Sequence, residues 1–92
     1  MTRKKKDLTA ATYLDSLGRE SARKYAPTIR EDALKYGAKF PLSATNTEVL
    51  LQNTIEGLQR SHLLDWPHTN FDRQQVFINS WLTEMQHLGI VD

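Results

Sequence analysis

Ninety-two residues suffice for one domain, because a second independent core within that length would be too small to stand alone. Hydrophobic residues at 39% and charged residues at 25% are the proportions of a globular chain rather than a disordered one. The chain has no cysteine, which excludes thiolate zinc sites, disulfides and thiol redox centres.

The start, Met1 to Asp7, is basic and has no apolar residue between Met1 and Leu8. It is expected to be a mobile basic arm, residues 1–7, ahead of a helical domain at 8–92. It also lacks the apolar stretch of an export signal, so none is expected. A first helix is predicted from about Thr9 to Tyr25, with Ala10, Leu14, Leu17 and Ser21 in one narrow stripe. Asp15 with Arg19, and Glu20 with Lys24, are acid-first pairs four apart that favour helix. Gly18 weakens it by roughly 1 kcal/mol relative to alanine. Pro27 disfavours helical geometry at Ala26 and lacks a backbone donor, so a break or kink is expected at Tyr25–Pro27. A second helix then runs to Tyr36 and stops at Gly37.

Phe40–Leu42 is a connector, the one place that tolerates a short extended segment. Thr45 with Glu48 reads as a capping box for a third helix over 46–63, whose stripe is Leu51, Ile55, Leu58 and His62. Residues 65–70 are rich in turn formers. Asp72 with Gln75 is a second capping box, flanked by Phe71 and Val76 at the positions of a hydrophobic staple. Phe77, Trp81, Met85 and Leu88 line one face of this last helix, which Gly89 ends while Ile90 folds back on Met85. The predicted fold is thus mainly α, a small single-domain bundle of about four helices. Its predicted core is Leu14, Leu17, Ile29, Leu51, Ile55, Leu58, Phe77, Trp81, Met85 and Leu88.

The net charge of +1 hides a division. Residues 1–39 hold ten basic and five acidic side chains, whereas residues 40–92 hold two and six, so the halves carry +5 and −4. Such asymmetry points to an acidic or nucleic-acid partner for the first half. Arg19 and Arg23 are four apart on one helix face, with Lys24 beside them and Arg30 further along. Like charges at that spacing repel weakly in an isolated helix, and a partner's phosphates or carboxylates would remove that cost. Arg3, Lys4, Lys5 and Lys6 add an arm of the kind that follows a nucleic-acid backbone. These eight residues are the candidate partner-binding set. The plainer reading is a solvated face neutralised by Asp15 and Glu20.

No nucleophile elbow, phosphate loop or zinc-binding helix signature is present, and the four glycines are too dispersed to cradle a phosphate. Catalysis, a metal and a cofactor are therefore not expected. His62, Asp65, His68 and Asp72 could in principle meet around a metal, but the turn between them leaves their directions undefined. A helix-turn-helix reader would need cations on its recognition helix. The two best-signalled helices carry only Arg60 and Arg73, so a DNA-binding regulator would have to use the basic N-terminal helices.

In the stretch Thr9–Tyr36, TAATYLDSLGRESARKYAPTIREDALKY, and in total length, the chain resembles the small phage-encoded anti-CRISPR proteins. More narrowly, it resembles the inhibitors of type I-F surveillance complexes, the eighth such family in particular. That resemblance implies a viral, non-enzymatic inhibitor acting in the host bacterial cytoplasm. It would bind the subunits of the surveillance complex, with guide RNA phosphates as a further contact, and block target DNA. It implies no small-molecule substrate and no membrane. These inhibitors share no signature motif, so no functional residue is carried over from them.

Overall fold

The structure is a computed structural model that describes residues 2–92, with side chains from residue 11 onward. It is mainly helical. Helix α1 spans Thr2–Lys35, α2 spans Ala44–Arg60 and α3 spans Phe71–His87, with a single 3₁₀ turn at Trp66–His68. Three α-helices among the described residues thus stand where about four were expected. Among the described residues no helix is long and apolar enough to cross a membrane.

The expected break at Pro27 does not occur, because Pro27 lies inside α1. The proline ring costs the helix one hydrogen bond, and on its own that would favour a kink or an end. Here the buried stripe runs past it. Leu14, Leu17, Ser21, Ala22 and Ala26 are buried and Ile29 is half-buried, all at helical spacing, while Pro27 itself sits on the exposed side. Packing along that stripe offsets the local penalty, as tertiary contacts commonly override propensity. The backbone of residues 2–7, expected as an arm, continues the same helix.

Gly18 has a role that its low helix propensity does not suggest. A Cβ there would lie 2.7 Å from the Phe77 carbonyl oxygen and 3.1 Å from both Ser80 Cβ and the Trp81 nitrogen. With Ser21 and Ala22 following, α1 presents a run of small residues to α3, and the two backbones approach closely. The core lies along this contact in two clusters. Leu14, Leu17, Ile55, Leu58, Leu64 and Phe77 fill one, and Ala22, Ala26, Leu42, Trp81, Met85, Ile90 and Val91 fill the other. Trp66 meets Phe77 edge to face, with ring centroids 5.7 Å apart. Of the predicted core, Ile29, Leu51 and Leu88 are only half-buried. Ile90, fully buried, occupies the deep position that Leu88 was expected to take.

Both helix starts lie two residues before the expected capping boxes. Ser43 caps α2, its hydroxyl accepting from the Asn46 N–H at 3.2 Å, and Asn70 caps α3, accepting from the Arg73 N–H at 2.9 Å. Each satisfies one of the unpaired donors of a first turn. Phe71 is consequently the first residue of α3 and 70% exposed, so it forms no staple with Val76. In place of an extended segment at Phe40–Leu42 there is a single parallel bridge between Leu42 and Val91, with the Leu42 N–H donating to the Ile90 carbonyl at 2.8 Å. The Phe40–Pro41 peptide is cis.

All three α-helices end in the same way. The N–H groups of Ala38, Leu63 and Ile90 reach back to the carbonyls of Ala33, Leu58 and Met85, five residues earlier. The residue before each adopts a positive φ, and it is Gly37, His62 and Gly89 in turn. This is the helix stop expected at Gly37 and Gly89. At His62, φ is +60°, where a Cβ crowds the neighbouring carbonyl and costs roughly 1–2 kcal/mol. His62→Gly should therefore stabilise the protein by about 0.5–1 kcal/mol despite glycine's larger unfolded-state entropy. A thermal melt should show the midpoint rising by a few degrees, and an unchanged or lower midpoint would refute the strain at this position.

Candidate partner-binding face

Arg19, Arg23 and Arg30 stand at i, i+4 and i+11 on α1, which places them along the edge of the helix that borders α3. Each meets a group of the fold. Arg19 pairs with Asp15 one turn earlier, as expected from their spacing. Arg23 Nε donates to Glu84 Oε2 of α3 at 3.1 Å. Arg30 donates through one Nη to the carbonyl of Leu88, the C-cap of α3, and its guanidinium lies 5.6 Å from the Phe40 ring centroid. A cation at a helix C-terminus meets unpaired carbonyls and the negative end of the helix dipole.

Lys24 lies off this edge, with its Nζ 5.7 Å from the centre of the Tyr25 ring. The expected Glu20–Lys24 ion pair is absent among the described residues, and Lys24 stays exposed. Arg19, Arg23 and Arg30 are thus brought into one row and Lys24 is set beside it. The side chains of Arg3, Lys4, Lys5 and Lys6 lie outside the described residues.

Sequence reasoning missed Glu84, Leu88 and Ser80 as members of this edge. The Ser80 hydroxyl donates to Asp15 Oδ1 and Arg19 to Oδ2, so both carboxylate oxygens are engaged. With Glu84 and His87 these groups line a polar hollow of about 530 Å³ between α1 and α3. The Ser80 hydroxyl first, and then Arg19, hold the Asp15 carboxyl below its ordinary range. Because the folded state favours the ionised form, the associated stability is present above the unfolded carboxylate range and is lost as pH falls through the lowered value. Ser80→Ala should move the Asp15 midpoint back up in an NMR pH titration of the carboxyl carbons. An unmoved midpoint would mean that Ser80 is not the main cause.

The Arg23–Glu84 pair is unevenly covered, with side chains 58% and 15% exposed. Solvent screening keeps such a pair to about 1 kcal/mol or less. Its main effect is orientation. Each of the three arginines uses one guanidinium nitrogen in its contact with the fold, and arginine carries five N–H donors.

His68 pairs with Asp65 at 2.9 Å beside the 3₁₀ turn, and that carboxylate raises its pKa. Among the described residues no group of three histidine, aspartate or glutamate side chains could hold a metal ion. No protein-family model matches the chain, and no curated protein and no solved structure shows significant similarity to it.

Proposed function

We propose that the chain is a non-enzymatic inhibitor that binds a CRISPR RNA-guided surveillance complex, at its protein subunits and guide RNA, and blocks target DNA. The observation that carries this reading is the row Arg19, Arg23 and Arg30 within the stretch that bears the resemblance. All three lie on one uninterrupted helix. An arginine held by one intramolecular contact is already oriented, and its remaining donors can engage a phosphate or carboxylate bidentately. Binding then loses less side-chain freedom than it would with an unrestrained lysine. Lys24 beside the row and Arg3–Lys6 at the start of the same helix supply further positive charge.

The test is a mobility-shift assay with an assembled type I-F complex and a labelled target duplex. Adding the chain should abolish the shift at near-equimolar ratio, while the chain alone should leave the duplex unshifted. A specific shift by the chain alone, much stronger than with random sequence, would make it a DNA-binding regulator instead.

A further inference from the structure

A hollow of about 700 Å³ lies between α2 and α3 and shares no residue with the arginine row. It exists because α3 packs along α1, whereas α2 touches α3 more loosely. Leu51 of α2 and Ile78 and Leu82 of α3 line it and remain half-buried. Val91, held by the bridge to Leu42, also lines it. The charged side chains that line it are Glu48 and Asp92, both acidic and both exposed.

We propose that this groove docks a basic amphipathic helix of a protein partner. Apolar side chains spaced four apart on such a helix would cover Leu51, Ile78 and Leu82, as in other helix-in-groove complexes. The groove wall on α2 runs from Ala44 to Gln52, about two helical turns, so one pair of apolar anchors fills its length. Lysine or arginine flanking the anchors meets Glu48 and Asp92, within a half of the chain that carries −4. An acidic segment would meet like charge at Glu48 and Asp92, which selects against it. This surface is independent of the proposed inhibitory role, and the test uses the free chain.

The experiment is NMR shift mapping of the isotope-labelled full chain with a synthetic amphipathic helix of about four turns, built from leucine and lysine. A counterpart with glutamate in place of lysine serves as the control. Shifts should centre on Glu48, Leu51, Leu82 and Val91, and the acidic counterpart should bind at least about tenfold more weakly. Glu48→Lys with Asp92→Lys alters only exposed positions and should weaken the basic probe about as much. Equal binding of both probes, or shifts spread away from the groove, would overturn the proposal. So would self-association of the free chain that Leu82→Glu abolishes, since a second copy would then be the occupant.

Discussion

Gly18→Ala should destabilise the protein, although alanine is the better helix former by about 1 kcal/mol. The new methyl would sit 2.7 Å from the Phe77 carbonyl oxygen. That atom belongs to the backbone of α3, so only a shift of the whole helix makes room. Phe77 and Trp81, both fully buried, move with it. Overpacking of this kind costs about 1–3 kcal/mol, and against backbone atoms that cannot rotate away it exceeds the propensity gain. Gly57→Ala is the matched control, because Gly57 lies within α2 and nothing occupies the space within 4 Å of its added Cβ. It should stabilise by about 0.5–1 kcal/mol. Chemical denaturation of both variants separates propensity from packing. Equal stabilisation by the two would mean that α1 and α3 do not approach closely at Gly18.

Trp81→Ala should carry the largest cost of any single change, about 3–5 kcal/mol, out of a total on the order of 5–14 kcal/mol for a chain of this size. Trp81 is fully buried, in the cluster with Ala22, Leu42, Met85, Ile90 and Val91. Its indole Nε1 is also buried without a hydrogen-bond partner among the described residues. Burying an unpaired donor costs roughly 1–3 kcal/mol. Trp81→Phe removes that donor and keeps an aromatic ring, so its cost should stay below about 1.5 kcal/mol. Urea unfolding of both variants checks the pair. A loss below about 1 kcal/mol for Trp81→Ala would show that the side chain is not a core anchor.

The helical class is legible in the stripes of α2 and α3 and in the glycines that end α1 and α3. Spacing alone marks Phe77, Trp81 and Met85 as core, and all three are fully buried. Pro27 and Gly18 mislead for one physical reason. Local rules weigh what each does to an isolated helix, while the deciding interaction is with α3. The helix starts are displaced because Ser43 and Thr45 are both capping residues, as are Asn70 and Asp72. Local sequence does not choose between two such candidates.

The candidate face divides in the same way. The common edge of Arg19 and Arg23 follows from helical spacing, and so does the Asp15–Arg19 pair. Glu84 lies 61 residues beyond Arg23, and the Leu88 carbonyl 58 beyond Arg30. Those contacts depend on how α3 crosses α1, which no local pattern encodes.

The central claim, that the arginine row of α1 binds the surveillance complex, is tested most directly by affinity measured against salt. The parent chain and the Arg19→Ala/Arg23→Ala variant would be titrated onto the assembled complex at several ionic strengths, after circular dichroism confirms that both are folded. If the row meets guide RNA phosphates, the parent's affinity should fall linearly with the logarithm of salt. The variant should bind at least about tenfold more weakly, with a slope flatter by about 0.7 for each phosphate it no longer neutralises. Equal affinity and equal slope for the two proteins would contradict the claim and leave the arginines only their contacts within the fold, Arg19 with Asp15 on α1 and Arg23 with Glu84 across to α3.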